Sequence, residues 1–346
     1  MRLLISGYYG AGNLGDEALL SGLLAGLRGS PVDPLVASFD PAATAREHGV
    51  AAVHRYRGLP AAVWRCDALL SGGGGLLQDA TSSRSLGYYL GVIRLARTLR
   101  RPAVVFGQSL GPLSATGMAR VRRALEGVPL ALRDRPSLEL ATRLGLRAIG
   151  VADTALLLPQ LAPADRDGDG TATLVLVPRA GYPAVGNALA DLGRRHLAAG
   201  GRVRLVSLHR MHDAGEMARL RSALPAGEAR EPATVAELRR ALAGVHAVVS
   251  GRLHGLVLGA GLGTPVAGLA YDPKVTGFAR DIGAPVVAVA RSSLGANAHD
   301  ATGLLQRFVD APTLNAEAVA RVSARAGEGM RWLLEEALHV GSCRGA

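Results

Sequence analysis

Residues suited to handling an anion stand close together late in the chain. In Ser250-Gly251-Arg252-Leu253-His254 a guanidinium and an imidazole directly follow an apolar run. Twenty residues on, Tyr271-Asp272-Pro273-Lys274 closes a second apolar run with an ammonium, the only lysine among 39 basic side chains. An imidazole titrates near neutral pH, so His254 can give or take a proton. An ammonium is a compact charge that can lose its proton, whereas a guanidinium stays charged. Cations where a helix begins oppose the helix dipole unless an anion lies there too. The pattern fits acid–base chemistry by His254 on a negatively charged substrate, with a second cation, Lys274, nearby. A lone histidine can equally be a satisfied core residue, and that alternative stays open here.

Three further stretches place polar groups after apolar runs. In "GYYGAGNLGDEA" (7–18) glycines lead into a helix, so Gly10, Asn13 and Asp16 could border a bound sugar or phosphate, or simply cap a tight turn. "SGGGGLLQDATSSRSLGYYL" (71–90) reads as a glycine loop followed by hydrogen-bonding groups. Gly72, Gly73 and Gly74 would bring backbone against a ligand, with Gln78, Asp79 and Arg84 beyond them; a flexible surface loop is the alternative. In "LALRDRPS" (130–137) Arg133 ends an apolar run, and its planar fork suits carboxylate or phosphate, although a solvated surface arginine is commoner.

Elements that could position these groups follow from periodicity. Short apolar runs at 2–6, 35–39, 67–72, 103–107 and 130–133 read as buried strands, with helical segments near 16–28, 85–100, 116–126 and 136–144. The Pro-, Asp- and Gly-rich stretch 159–170 reads as a linker. Strands near 173–177, 203–207, 246–250, 265–269 and 285–289 then alternate with helices, and an amphipathic helix near 314–339 closes the chain. Strand–helix alternation implies right-handed crossovers and parallel sheets covered on both faces. The expectation is an α/β protein with two Rossmann-like, doubly wound domains facing a cleft. They would span 1–158 and 171–311, with a long C-terminal helix in 312–346. Ligands of such sheets bind beyond the carboxyl ends of the strands. Consecutive strands would put His254 and Lys274 at one sheet edge.

The net charge of +11 favours anionic partners, yet the chain has no block of five or six like charges, so the charge reads as spread along it and a nucleic-acid tail is not expected. Aromatic residues, at 4%, are too few for a stacking platform, which also argues against nucleic acid. Cys66 and Cys343 lie far apart without CxxC or histidine partners, so neither disulfide nor zinc site is expected. No carboxylate or histidine cluster shows metal-ligand spacing. The apolar run 253–271 is broken by glycines and Pro265, and the start lacks a secretory leader. The chain therefore reads as a cytoplasmic protein. Its C-terminal helix, with Arg321, Arg325, Arg331 and Trp332, either touches the inner membrane face or packs back on the N-terminal half.

Together, "GYYGAGNLGDEA", "SGGGGLLQDATSSRSLGYYL", "FGQSLGPL", the Arg-Asp after a strand, and "SGRLHGLVLGAGLGTPVAGLAYDPKV" resemble the polysaccharide pyruvyl transferases. The likeness is nearest to the bacterial branch acting on secondary cell-wall polysaccharide, and it spans residues 1 to about 290. It implies a fold similar to GT-B glycosyltransferases. It also implies transfer of pyruvate from phosphoenolpyruvate onto two hydroxyls of a sugar such as N-acetylmannosamine, forming a ketal and releasing phosphate. The acceptor would be lipid-linked or polymeric. Arg133, His254 and Lys274 match the family's functional positions, and Arg252 matches the arginine of its Gly-Arg-Leu-His motif. Phosphoenolpyruvate is a substrate here, and no cofactor is implied. A nucleotide-sugar glycosyltransferase on the same frame, and a non-catalytic anion-binding module, are the two competing readings.

Overall fold

The computed structural model describes residues 1–161, 171–290 and 298–340. Most of the expected linker and Cys343 lie outside the described residues. The chain divides into two compact units, Met1–Leu158 with Ser323–Ala346, and Pro159–Val322.

Unit 1 alternates strand and helix: β1 (Arg2–Tyr9), α1 (Leu14–Leu27), β2 (Asp33–Ser38), α2 (Pro41–His48), β3 (Ala51–His54), α3 (Leu59–Arg65) and β4 (Ala68–Leu77). It continues through α4 (Ser83–Thr98), β5 (Ala103–Leu110), α5 (Ala115–Leu125), β6 (Leu130–Leu132), α6 (Arg135–Arg143), β7 (Ala148–Gly150) and a 3-10 turn at Thr154–Leu157. The parallel strands lie in the order β3-β2-β1-β4-β5-β6-β7. Because the strands are buried on both faces they read as continuous apolar runs. Leu4, Leu69, Val105 and Leu130 pack with α3, α4, α5 and α6 on one face. Leu3, Ile5, Leu70 and Val104 pack with α1 on the other.

Unit 2 comprises β8 (Thr173–Val177), α7 (Pro183–Ala198), β9 (Arg202–Val206), α8 (Arg210–Ala223), β10 (Glu228–Arg230), α9 (Val235–Leu242) and β11 (Ala247–Ser250). Then come α10 (Leu253–Gly261), β12 (Val266–Ala270), α11 (Pro273–Asp281), β13 (Val286–Ala288) and α12 (Ala298–Asp310). Its parallel sheet runs β10-β9-β8-β11-β12-β13. The last helix, α13 (Ala316–Trp332), leads into a π-helical turn at Leu333–Ala337. Met330, Leu333 and Leu338 join the α1 side of the unit 1 core, and Arg325 donates to the Val151 carbonyl at 3.2 Å. Among the described residues no helix is long and apolar enough to cross a membrane.

One expectation changes. The glycines after residue 71 lie inside β4 rather than in a loop. A Cβ on Gly72 or Gly73 would stand 3.2 Å from the Tyr9 hydroxyl, and one on Gly74 would stand 2.8 Å from Asp16. Gly73 and Gly74 also have positive φ, at 55° and 89°. These glycines are small because β4 must pass close to Tyr9 and α1.

The same test separates two helical glycines. A Cβ on Gly22 in α1 would sit 1.8 Å from the Thr154 carbonyl oxygen, whereas one on Gly91 in α4 meets nothing within 4 Å. Gly22→Ala should therefore destabilise the protein by about 1–3 kcal/mol through overpacking. Gly91→Ala should stabilise it by roughly 0.5–1 kcal/mol through helix propensity. Denaturant midpoints of the two variants check the opposite signs.

Candidate active site

In unit 2 the strand order reverses between β8 and β11, which makes the carboxyl ends of these strands the switch point where such sheets hold ligands. Gly251 and Arg252 follow β11 with His254 in the first turn of α10, and Tyr271 and Asp272 follow β12 with Lys274 in the first turn of α11. β11 and β12 pair in parallel, Ser250 opposite Gly268, so both loops leave the same sheet edge. Gly251 is needed for packing, since a Cβ there would lie 2.7 Å from Val185 on α7.

Arg252 is buried, and two of its nitrogens face Asp213 of α8: Nε donates to Oδ2 at 2.9 Å and Nη2 to Oδ1 at 2.5 Å. Asp213 has no exposed surface and also accepts from the Ala180 amide at 3.2 Å. The anion required beside cations at the start of α10 is thus present, and it belongs to the protein. The fork expected for a substrate anion is held by a carboxylate, and the pair is neutral overall. His254 is the second residue of α10 and half-buried. Lys274 is the second residue of α11; its Nζ lies 3.1 Å from Asp272, whose other oxygen caps the helix by accepting from the Lys274 amide. Both side chains of this pair are roughly a third exposed, so a substrate anion can compete for the ammonium.

Arg179, two residues past β8, was not singled out in the sequence. Its guanidinium carbon stands 5.3 Å from the Tyr271 ring centroid, and Nη1 lies 3.5 Å from His212 Nδ1. Its Nε is buried without a hydrogen-bond partner among the described residues. Tyr271 in turn packs against Tyr182, with ring centroids 4.3 Å apart and planes tilted by 39°. The available signal was positional: a cation immediately beyond the first strand of a doubly wound unit. His209 caps α8 by accepting the His212 amide at Nδ1, 3.4 Å away. Burial lowers its pKa below the usual value, and Arg252 acts in the same direction.

Unit 1 treats its expected site residues in a similar way. Arg133 is buried, with Nη1 donating to Asp153 at 2.8 Å and Nε to Ser109 at 3.0 Å. Asn13 caps α1 through the Gly15 amide and donates to Asp16. The Gly10 amide is held by Glu17, and its φ of 70° favours glycine. Asp79 accepts from the amide and hydroxyl of Ser114, the cap of α5, and these bonds lower its pKa. Gln78 bonds Thr81, and Arg84 is exposed. At the switch between β1 and β4, the Tyr9 hydroxyl and Gln108 Oε1 are buried without hydrogen-bond partners among the described residues.

The fold also assembles a cluster that spacing did not reveal. Ligand atoms of Glu17, Glu47 and His48 come within 4.8 Å of one another. Glu17 already bonds the Gly10 amide at 2.7 Å and His48 Nε2 at 3.0 Å, while His48 Nδ1 meets Ser21 at 3.1 Å. The group works as a hydrogen-bonded brace behind the glycine turn.

Comparison with known proteins decides the family. Residues 13–273 match the polysaccharide pyruvyl transferases. The chain belongs to that family. Among solved structures it is similar to Anabaena HepE, determined with UDP and glucose, at a TM-score of 0.65 and 15% identity over 98% of this chain and 99% of that one. Neisseria meningitidis UDP-GlcNAc 2-epimerase, bound to UDP-GlcNAc, gives 0.62 and 11% over 98% and 100%. A Rickettsia africae glycosyltransferase gives 0.60 and 8% over 99% of each chain. No curated protein matches the sequence. These likenesses establish an α/β fold of the GT-B kind, and the pyruvyl transferase is an enzyme.

Two outcomes follow from the α8 scaffold. Asp213→Ala strands a buried guanidinium and should cost about 3–5 kcal/mol, whereas Asp213→Leu combined with Arg252→Met should recover most of that loss. Urea denaturation measures both. His209 is bound neutral in the fold, so stability is intact above its unfolded pKa of about 6.5 and is lost as pH falls from there toward the lowered native value. His209→Asn keeps a capping oxygen without the titration and should flatten that acid limb of a stability–pH curve.

Proposed function

We propose that the enzyme transfers pyruvate from phosphoenolpyruvate onto two hydroxyls of one sugar in a lipid-linked or polymeric glycan, releasing phosphate. The observation carrying this reading is the pairing of the His254 and Lys274 loops on adjacent strands at the unit 2 switch point, within a chain of this family. Three helices, α7, α10 and α11, start at that edge, and the positive ends of their dipoles suit carboxylate and phosphate.

In the reaction the enol methylene gains a proton, two sugar oxygens bond to the central carbon, and the bond from that carbon to the phosphate oxygen breaks. The protons lost by the two hydroxyls balance the one gained by the methylene and the one carried off by phosphate. His254 is assigned the proton transfers, a role worth about 10²–10⁴ in rate. Arg179 supplies positive charge against the two anionic groups of the donor, and Lys274 joins it when the donor displaces the partly exposed Asp272 carboxylate. Arg252 and Arg133, each neutralised by a buried aspartate, act chiefly through shape: the ion pairs fix their loops and orient the remaining terminal nitrogen. N-acetylmannosamine is the proposed acceptor. The orphaned Tyr9 hydroxyl and Gln108 oxygen, beside Gly72–Gly74, support unit 1 as the sugar side.

Phosphate release from phosphoenolpyruvate with an N-acetylmannosamine-terminated acceptor, and the acceptor's gain of one ketal pyruvate by mass, test the reading. His254→Ala should lower turnover about 10²–10⁴-fold. Lys274→Arg keeps the net charge but replaces a point charge by a planar fork, and it should lose most activity. Saturable binding of a nucleotide sugar with none of phosphoenolpyruvate would instead favour a glycosyltransferase.

A further inference from the structure

The positive charge is concentrated rather than spread. Residues 55–125 contain 11 arginines against two acids, Asp67 and Asp79, so nine of the eleven net charges fall in this one stretch. The rest of the chain is nearly balanced, with 28 basic and 26 acidic side chains. Reading for runs of like charge missed this, because the arginines are separated by the apolar positions of successive helices.

The fold gathers that density on one surface. α3, α4 and α5 cover the same face of the unit 1 sheet, where Val63, Ile93 and Val121 share one core cluster. Arg65, Arg94, Arg97, Arg100, Arg122 and Arg123 are all exposed on the solvent side of this layer. None of the six forms a salt bridge among the described residues. Arg97 donates to the Ala124 carbonyl at 3.0 Å and Arg101 to the Trp64 carbonyl at 2.7 Å, tying the ends of the three helices side by side. Arginines in a last helical turn complement the dipole, but Arg94 and Arg100 lie outside that explanation, and α5 carries two.

Two large aromatics of the same stretch stay exposed instead of joining the core. Trp64 on α3 is 61% exposed and Tyr56, just before it, 56% exposed. An isolated basic surface would meet any polyanion. The exposed Trp64 indole on the same helix layer, with the Tyr56 phenol in the preceding turn, matches the interface of a bilayer, where amphipathic rings sit at headgroup level beside basic side chains. Arg55 belongs to the same stretch but is buried between Phe39 and Tyr88, 4.2 and 4.0 Å from their centroids, and so holds Tyr56 and its loop in place.

We infer that the outer surface of α3, α4 and α5, from Trp64 to Arg123, docks the enzyme on a membrane bearing anionic headgroups. This goes beyond the proposed reaction and does not depend on the assignment of His254 or Lys274. It also replaces the C-terminal helix as the membrane contact, since Met330 and Leu333 of that segment are buried in unit 1.

The full-length protein is to be sedimented with phosphatidylcholine vesicles, with and without phosphatidylglycerol, at an ionic strength of about 0.15 M. Binding should be at least about tenfold stronger to the anionic vesicles. The combined Arg65→Gln, Arg94→Gln, Arg122→Gln and Arg123→Gln variant should lose that preference, and Trp64→Ala should weaken binding to both. Removing the same charge from unit 2, by Arg194→Gln, Arg195→Gln, Arg240→Gln and Arg280→Gln, should leave binding within about twofold. Equal loss in both quadruple variants would reduce the effect to bulk charge and overturn the proposal. So would absence of binding to anionic vesicles. A third contrary result is binding of a duplex oligonucleotide that the first variant abolishes while vesicle binding is unchanged. Phosphate release with a water-soluble acceptor, unchanged in the first variant, keeps failure of docking distinct from failure of the reaction.

Discussion

A guanidinium buried beside a helix N-terminus is unstable unless something negative shares its site, and Asp213 meets that requirement for Arg252. Much of unit 2 is arranged around this pair. Asp213 is presented by α8, whose start depends on the His209 cap, and the same carboxylate takes the Ala180 amide and so fixes the loop bearing Arg179. Three loops after three strands are tied to one buried charge. The geometry at the sheet edge is therefore set before any substrate arrives, which is the condition under which fixed charges stabilise a transition state without reorganising.

Unit 1 repeats the device with different residues. Arg133 leaves the end of β6, and Asp153 meets it from the segment after β7 while also capping the following 3-10 turn. In both units a buried arginine just past a strand's carboxyl end is a structural member first. Net positive charge is left to Arg179, which forms no salt bridge among the described residues, and to Lys274, whose partly exposed pair with Asp272 a donor anion can displace. That division matters for chemistry on a doubly anionic donor, because a neutral pair orients a hydrogen bond but does little to offset two negative charges.

The fold was legible wherever strands were long and buried. β1, β4, β5, β8, β11 and β12 appear as apolar runs, and α1, α2, α4, α5, α6, α9 and α11 begin at Asn, Asp, Ser or Thr caps. β3, β7 and β10 have only three or four residues each, and none of those residues is buried, so they lack the long core-facing runs of the central strands. The shared edge of the His254 and Lys274 loops could be foreseen because consecutive strand–helix units lie side by side. Asp213 could not: it stands 39 positions before Arg252, in no motif, and only packing brings the two together. The meaning of Gly72–Gly74 was hidden similarly, since a glycine required by the Tyr9 hydroxyl looks in sequence like one required by a ligand.

Calorimetric titration of the full-length enzyme with phosphoenolpyruvate tests this division of labour most directly. Replacing the less buried cations by Arg179→Met together with Lys274→Met should weaken binding at least about a hundredfold, or roughly 2.8 kcal/mol. Replacing the buried pair by Arg252→Met together with Asp213→Leu removes no net charge and should leave binding within about tenfold, or 1.4 kcal/mol. The reverse order, with the buried-pair variant losing affinity and the Arg179 and Lys274 variant retaining it, would show that Arg252 meets the donor directly and would contradict the account.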